Sequence, residues 1–356
     1  MKVLAINPGS TSTKVALFQD GKEVWSDTQR YDVDVIRRFK GISEQEEFRF
    51  QEILKAMASH GTKPEDLDGV VGRGGLLRPI PGGTYEVGEP MLRDLRSCRY
   101  GSHASNLGAP LALRIAEKSA GKRAFIVDPV VVDELVPEAR VSGLPEIERR
   151  SLFHALNQKA VARRTASDLG RPLANCNFIV VHMGGGISVG AHDHGRIVDV
   201  NNALDGQGPF SPERAGSLPA GALVRLAYSG EFDLEQLLKK LVGGGGLVAH
   251  LGTNDLREVE KMMDSGNERA KLVFEALGYH VAKEIGACAA VLKGHVDAIA
   301  LTGGLAYSAR LVQYITEKVA FIARVFVYPG EDEMKALADG ATRVLEGGEE
   351  AKIYAE

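Results

Sequence analysis

"VLAINPGSTSTKVAL", residues 3–17, carries the pattern that most restricts the architecture of this chain. Two apolar runs flank a cluster of Gly, Ser and Thr, which is typical of two strands joined by a polar turn. A P-loop has a second glycine directly before its lysine and continues into a helix. Here Thr13 precedes Lys14, and an apolar strand pattern follows. The motif therefore predicts a hairpin tip whose backbone N–H groups bind phosphate, with an ordinary hairpin turn as the alternative.

The three-strand plan of the N-terminus occurs twice. Asp20-Gly21 predicts a second turn, and therefore a meander of three strands. The segment "FIVVHMGGGISVGAHDHGRIVDV", residues 178–200, repeats that meander with three glycines at its first tip. Each copy is followed by a similar strand, "DGVVGRGG" at 68–75 and "DAIALTGG" at 297–304. Two pairs in the same order predict a duplicated domain, with an insertion between Asp205 and Gly266 in the second copy.

Strands alternate with helical patterns along the chain. Helices are predicted at Glu47–Ser59 and Ser151–Leu169. The alternation indicates an α/β fold whose sheets are mostly parallel, with an antiparallel hairpin at one side. A chain of 356 residues exceeds what one hydrophobic core usually organises. We expect a first domain over residues 1–150 and a second over 151–330, with a C-terminal helix at about 331–356 that packs back on the first.

Composition excludes several classes of function. A net charge of -4 argues against general nucleic-acid binding, which needs a basic face. The three cysteines form no C-x-x-C pair, which favours a reducing compartment. No apolar run is long enough for a membrane span, and Asn7-Pro8-Gly9 interrupts the N-terminal apolar run too early for a signal peptide. We expect a cytoplasmic protein without nucleic-acid or membrane partners, and a homo-oligomer because such assemblies are common.

Two segments carry a resemblance to a known family. "INPGSTSTKVALF", residues 6–18, is very similar to the short-chain fatty-acid kinases of the acetokinase family, within the superfamily of acetate and sugar kinases, heat-shock chaperones and actin. "FVYPGEDEMKALADGATRVL", residues 326–345, looks like the branch that phosphorylates butyrate and branched short-chain acids. The resemblance covers essentially the whole chain. It implies two duplicated ribonuclease-H-like domains, each a mixed sheet flanked by helices, with an interdomain cleft. It also implies ATP-dependent phosphorylation of a small carboxylic acid to an acyl phosphate, with Mg²⁺.

Candidate nucleotide-binding residues lie at the tips of the repeated motifs. Small hydroxyls and backbone N–H groups in such turns can bind phosphate oxygens, and a nearby lysine can neutralise charge. The residues expected to bind ATP are Asn7, Ser10, Ser12 and Lys14 at the first tip, His182, Gly184, Gly185 and Gly186 at the second, and Gly303 and Gly304 at the late turn. The histidine is assigned beside the phosphates by the resemblance, and Asn7 is also expected to contact the metal.

Two arginines are candidates for the reacting groups. Arg73 ends a strand before Gly74-Gly75, where the glycines would leave room for a substrate, and a guanidinium matches a carboxylate or phosphoryl group. The alternative for Arg73 is a buried ion pair. Arg214 lies in a proline-rich loop, where a fixed cation suits transition-state charge neutralisation. The resemblance assigns catalytic roles to both arginines.

Three further side chains enter through the resemblance. His154 is expected to begin a helix capped by Ser151 and to donate a hydrogen bond to the transferring phosphoryl group. Asp128 follows an apolar strand before Pro129, at the carboxyl end where α/β proteins bind ligands, and it resembles the aspartate that organises magnesium in the family. His103 resembles a histidine near the acid substrate. For His154 the alternative is an ordinary residue of a surface helix.

One departure from the family affects the metal site. Acetate kinases carry Gly-Glu-Asn after the late strand, whereas Ala306 and Tyr307 stand here in place of the acid. The run Glu331–Glu333 could replace it, although acids in the first turn of a helix are commonly dipole partners. His192 and His194 alternate along a strand and are expected to be solvated at a hairpin tip, with chelation of a metal as the alternative. The alternative functions are an acetate or propionate kinase, and a nucleotide-driven assembly or chaperone ATPase.

Overall fold

The computed structural model describes residues 1–355 and divides the chain into two units. The first contains residues 1–133 and the chain from Asp332 onward, and the second contains residues 134–331. The expected boundary at residue 150 is therefore placed too late. Glu134 accepts hydrogen bonds from Lys159 Nζ and from the backbone N–H of Ile197, so the segment after Asp133 is joined to the second unit.

Regular elements alternate along both units. Within residues 1–355 the strands are β1 (Lys2–Pro8), β2 (Ser12–Gln19), β3 (Lys22–Arg30), β4 (Gly69–Arg73), β5 (Thr84–Glu86), β6 (Arg123–Val127), β7 (Asn177–Met183), β8 (Ile187–Asp193), β9 (Arg196–Val200), β10 (Ala298–Gly303), β11 (Val325–Pro329) and β12 (Lys352–Ile353). The α-helices are α1 (Val33–Ile36), α2 (Glu46–Ser59), α3 (Glu89–Arg96), α4 (Gly108–Lys118), α5 (Pro137–Arg140), α6 (Ala155–Asp168), α7 (Ala220–Ala227), α8 (Leu234–Leu241), α9 (Gly246–Leu251), α10 (Leu256–Asp264), α11 (Glu268–Val291), α12 (Ala309–Val319) and α13 (Glu333–Leu345). Each of these helices is too short or too polar to cross a lipid bilayer.

The two sheets share one topology, as the repeated motifs predict. The first has the order β12-β5-β6-β4-β1-β2-β3, and the second has the order β11-β10-β7-β8-β9. In each, an antiparallel three-strand meander continues into a parallel strand pair at its first strand, β1 with β4 and β7 with β10. The duplicated α/β design is confirmed, and helices α7–α10 occupy the expected insertion.

The C-terminal segment completes the first unit. Helix α13 packs against β1, β4 and β6, and a Cβ at Gly340 would lie 2.5 Å from Val127, so the glycine allows this close approach. The helix ends at Leu345, and the short strand β12 then pairs with β5 in parallel. The helix expected at about 331–356 is therefore shorter than predicted, and Glu356 lies outside the described residues.

Strand β8 separates two different layers of the second unit. Ile187, Val189 and Ala191 are buried in the apolar core that includes α11. The alternating positions Ser188, Gly190 and His192 point to the other face, because successive strand residues face opposite sides. That polar face is covered by α6, which begins at Ala155 rather than at Ser151 and has His154 as its N-cap residue.

Candidate active site

The side chain of Arg49 in α2 binds the backbone of the first loop, residues 9–13. Its guanidinium donates to the carbonyls of Gly9 (2.8 Å), Ser10 (2.9 Å) and Ser12 (2.8 Å). A fourth bond to the loop joins Nη1 to Thr13 Oγ1 at 3.1 Å. C=O and N–H groups point in opposite directions across a planar trans peptide. The loop therefore turns its carbonyls inward and the N–H groups after Gly9 and Ser10 outward, as an anion site needs.

Arg49 is a residue that the sequence reasoning missed. Its side chain is fully buried (0% exposed), and the other acceptor of its hydrogen bonds is Gln45 Oε1 rather than a carboxylate. Burial lowers the pKa of Arg49, yet a guanidinium stays protonated in proteins. Its position in the sequence could have indicated that it is buried, because Arg49 shares the helical spacing of Ile53 and Met57, which lie on the buried face of α2.

Asn7 and Lys14 lie side by side on the first hairpin. They are register partners on β1 and β2, so their side chains emerge on the same face of the sheet. Asn7 Nδ2 donates to Glu333 Oε2 at 2.9 Å, whereas Lys14 is exposed. The first residue of α13 therefore supplies a carboxylate to the end of β1.

Glu333 also forms an ion pair with Arg73 at the end of β4. One carboxylate thus joins Asn7 and Arg73, with its second oxygen on the arginine. Its neighbours behave differently: Asp332 caps α13 by accepting from the N–H of Lys335 at 3.1 Å, and Glu331 contacts His182. Of the three acids in this run, Glu333 is the one that reaches the expected metal and substrate residues of the first unit.

The glycines after Arg73 make room for protein and not for substrate. A Cβ on Gly74 would lie 2.4 Å from Pro129 Cβ, and one on Gly75 would lie 2.6 Å from the Cα of Asn106. The expectation that these two glycines open a substrate pocket is therefore wrong. They allow the chain after β4 to pack tightly against its neighbours.

Asp128 and His103 have structural partners of their own. Asp128 is buried, with φ of 37°, and its Oδ1 accepts from the N–H of Gly83 at 2.7 Å. His103 is exposed and caps a short 3-10 helix, because its Nδ1 accepts from the N–H of Ser105 at 3.2 Å. Glu333 therefore joins Asn7 and Arg73. Asp128 and His103 instead form the hydrogen bonds given above, to the backbone of Gly83 and of Ser105.

In the second unit, two histidines stack beside the glycine loop. The rings of His154 and His182 are 3.7 Å apart at their centroids and 14° from parallel. His182, at the end of β7, lies 2.9 Å from Asn157 Oδ1 through Nδ1 and 3.2 Å from Glu331 Oε1 through Nε2. His154 Nδ1 lies 3.0 Å from Ser188 Oγ. The expected site residues His154 and His182 are therefore direct neighbours.

Arg214 occupies space that Gly186 leaves open. A Cβ at Gly186 would lie 2.1 Å from Arg214 Nη1, so the guanidinium would have to shift. The same Nη1 donates to the carbonyl of Ala203 at 2.5 Å, and Ser211 Oγ donates to the carbonyl of Gly185 at 2.6 Å. Burial lowers the pKa of Arg214, but the guanidinium remains a cation. The glycine loop and the arginine loop are thus fitted to each other.

A cavity of about 670 Å³ lies next to the second loop, within the size range of small-molecule sites. Gly303 has φ of 87°, and its Cβ would lie 2.4 Å from the carbonyl oxygen of Met183, so the turn requires glycine. The cavity combines expected and unexpected residues; its lining is Gly184, Gly185, Pro212, Glu213, Asn254, Asp255, Leu256, Arg257, Glu260, Gly304, Leu305, Tyr307 and Ser308. The residues between Glu213 and Glu260 were not foreseen because they come from the inserted helices.

The fold and the two loops define a duplicated α/β protein with a small-molecule cavity in its second unit. The chain belongs to the acetokinase family, whose model matches residues 145–326. It is 55% identical over 353 residues to butyrate kinase 2 of Clostridium acetobutylicum, covering 99% of both chains. Acetate kinase of Porphyromonas gingivalis has a similar fold, with a TM-score of 0.80 at 20% identity over 97% of this chain and 99% of that one. A propionate kinase from Francisella tularensis gives a TM-score of 0.73 at 17% identity over 95% and 98%.

Proposed function

We propose that the protein phosphorylates the carboxylate of butyrate or of a branched short-chain fatty acid, using ATP and forming an acyl phosphate and ADP. The observation that carries this proposal is the 55% identity to a butyrate kinase over 99% of both chains. A carboxylate oxygen attacks the γ-phosphorus while the bond to the β-phosphate oxygen breaks. A carboxylate is already a nucleophile, so the protein has to position the reactants and stabilise charge rather than supply a base.

In the first unit, we assign the acid substrate to Arg73 and the phosphates to the first loop. Arg73 offers a planar pair of donors that matches a carboxylate. The N–H groups that Arg49 turns outward, together with Ser10, Ser12 and Lys14, suit the γ-phosphate. His103 is assigned near the acid by the family resemblance.

Asn7 and Glu333 are the residues best suited to hold Mg²⁺. Together they offer an amide and a carboxylate at one place, and Mg²⁺ is commonly bound by one or two carboxylates plus substrate phosphates. In residues 1–355 there is no group of three acidic, histidine or cysteine side chains that could form a complete metal site, which agrees with that mode. A bound Mg²⁺ would neutralise phosphate charge. Asp128, whose carboxylate supports Gly83, is assigned to organise this region from a distance.

In the second unit, we assign the nucleotide to the glycine loop and the adjacent cavity. Gly184, Gly185 and Gly304 line the cavity, and Gly303 shapes its turn, so this unit can seat adenosine. We assign His182 and Gly186 to the phosphates of the nucleotide. Arg214 and His154 are assigned to the negative charge of the transferring phosphoryl group, the task for which fixed cations and N–H donors are most effective.

The test measures acyl hydroxamate formation with ATP, Mg²⁺ and a series of acids of two to five carbons. We expect butyrate or a branched acid to give the highest kcat/KM. Arg214→Ala should lower kcat by about 10²–10³-fold, as does loss of one transition-state donor, with little change in KM for ATP. The control is Arg225→Ala, an exposed arginine on α7, which should retain full activity. Absence of product with every acid, or near-wild-type kcat for Arg214→Ala, contradicts the proposal; a preference for acetate or propionate would reassign the substrate.

We also propose that the enzyme works in the cytoplasm as a homo-oligomer. The three cysteines are free, which suits a reducing compartment. Closed symmetric assemblies are the common state of soluble enzymes. Fractionation with an activity assay tests the location, and light scattering after size-exclusion chromatography tests the assembly.

A further inference from the structure

Four polar side chains form a chain of hydrogen bonds under the second loop. Three of them, His192, Gln158 and Ser188, are fully buried (0% exposed each). His192 Nε2 lies 3.1 Å from Gln158 Oε1, and Gln158 Nε2 donates to Ser188 Oγ at 2.8 Å. Ser188 Oγ then lies 3.0 Å from His154 Nδ1. The chain ends on the histidine that we assign to the transferring phosphoryl group.

The direction of this chain follows from the amide of Gln158. Its Nε2 also lies 3.0 Å from the backbone carbonyl of Ser188, which can only accept a hydrogen bond. The NH₂ group must therefore face Ser188, and Oε1 must face His192. It follows that His192 donates from Nε2 and carries its single hydrogen there.

The orphaned nitrogen of His192 agrees with this assignment. His192 Nδ1 is buried and has no hydrogen-bond partner among residues 1–355. In the Nε2–H form it is an unused acceptor rather than an unused donor, and burial keeps the ring neutral by holding the pKa of His192 well below its usual range. Space for the amide is provided by Gly190, because a Cβ there would lie 2.4 Å from Gln158 Oε1.

The last bond decides the state of His154. Ser188 Oγ accepts from Gln158 and keeps its single hydrogen to donate, and His154 Nδ1, 3.0 Å away, is a suitable acceptor for it. We propose that Gln158 and Ser188 are positioning residues that hold His154 as the neutral Nε2–H tautomer. The ring then directs an N–H from Nε2, the donor that stabilisation of a phosphoryl oxygen requires. That use of the hydrogen rests on the proposed function; the tautomer itself does not.

The first test reads the tautomer directly. The whole protein is labelled with ¹⁵N-histidine, and long-range ¹H–¹⁵N correlation spectra are recorded near pH 7.5. The signals of His154 are those absent from the His154→Gln variant. We expect a protonated Nε2 and an unprotonated Nδ1 in the wild type. A protonated Nδ1 of His154 in the wild-type protein overturns the inference, and this measurement needs no mutation in the chain of hydrogen bonds.

The second test removes the serine hydroxyl. Ser188→Ala should convert His154 to a mixture of tautomers and lower kcat about five- to tenfold, the effect of one lost hydrogen bond, with KM for ATP changed less than twofold. Thr165→Val is the control, since Thr165 is a fully buried hydroxyl on the same helix that donates to Val161. An unchanged tautomer in a folded Ser188→Ala variant overturns the inference.

A double-mutant cycle separates this inference from the proposed function. Glutamine at position 154 offers an N–H donor that has no tautomer, so Ser188→Ala should have no further effect on kcat in the His154→Gln background. If Ser188→Ala lowers kcat equally in the wild-type and His154→Gln backgrounds, Ser188 acts on the reaction by another route. A different outcome is also possible: His154→Ala retains the kcat of the wild type while the wild-type spectra show the expected tautomer. The catalytic assignment of His154 then fails, whereas the assignment of its tautomer stands.

Discussion

Arg49→Lys should loosen the first loop while leaving its sequence intact. The guanidinium makes six hydrogen bonds, four to the loop and two to Gln45. An ammonium has three donors, so at least three bonds are lost at about 1 kcal/mol each. The lysine recovers part of this by moving toward the nearest carbonyls. We therefore expect a loss of about 2 kcal/mol, or a Tm lower by about 4–8 °C for a unit of this size.

The loss should also reach the reaction. Once the carbonyls of Gly9 and Ser10 are no longer drawn inward, the following N–H groups are not held toward an anion. We expect kcat in the hydroxamate assay to fall about tenfold, the equivalent of one weakened charge-assisted contact. Arg49→Met, which removes the guanidinium donor from all three carbonyls, should be less stable again by several kcal/mol.

The matched control is Arg96→Lys. Arg96 also makes two bonds to one partner, Glu46 at 3.0 Å each, but on the surface, where such pairs contribute about 0–1 kcal/mol. Its Tm should change by less than about 2 °C, with unchanged kcat. The reasoning is refuted if Arg49→Lys melts with the wild type, or if both lysine variants lose the same stability.

Two further predictions concern the second unit. Burial depresses the pKa of His192 from its ordinary 6.5, so just below that pH the unfolded chain takes up the proton and the folded protein does not. The contribution of His192 to the free energy of unfolding should therefore be constant above pH 6.5 and fall below it by up to about 1.4 kcal/mol per pH unit. Urea unfolding across pH 5–8 should show this dependence of the free energy of unfolding on pH. The slope should be reduced in His192→Gln and unchanged in His194→Gln, whose histidine is exposed at the hairpin tip. Equal slopes in both variants would contradict the prediction. Gly186→Ala should displace Arg214 and lower kcat about 10²-fold. Gly286→Ala is the control and should retain activity, because a Cβ there would meet no atom of residues 1–355 within 4 Å outside the adjacent backbone of its own helix. Equal kcat values in the two variants would argue against a role for the fit between Gly186 and Arg214.

The sequence predicted the duplicated α/β plan because that plan is written in local patterns. Alternating apolar strands, the tips at Asn7 and His182 and the repeated strand before Gly303 are all short-range signals. In the structure β1 pairs with β4 and β7 pairs with β10, so the repeated strands occupy equivalent places in the two sheets. Residues at the ends of such strands could be proposed as site residues for the same reason.

Long-range contacts could not be predicted this way. Glu333 reaches Asn7 across a separation of 326 residues, and Arg49 reaches the first loop across 40. His192 was expected to be solvated because it stands next to a hairpin turn, yet it is fully buried, since α6 covers its face of β8. The local sequence of a strand does not indicate which helix will cover its face.

The division between sequence and tertiary structure therefore follows the range of the interactions. Periodicity and turn chemistry, which act over a few residues, determine the strands, the loops and the repeat. Packing decides which groups meet: it pairs Glu333 with Arg73, brings Gly74 close to Pro129, and places the hydroxyl of Ser188 beside His154. A buried polar group must find a partner wherever the fold supplies one, and that choice exists only once the chain is folded.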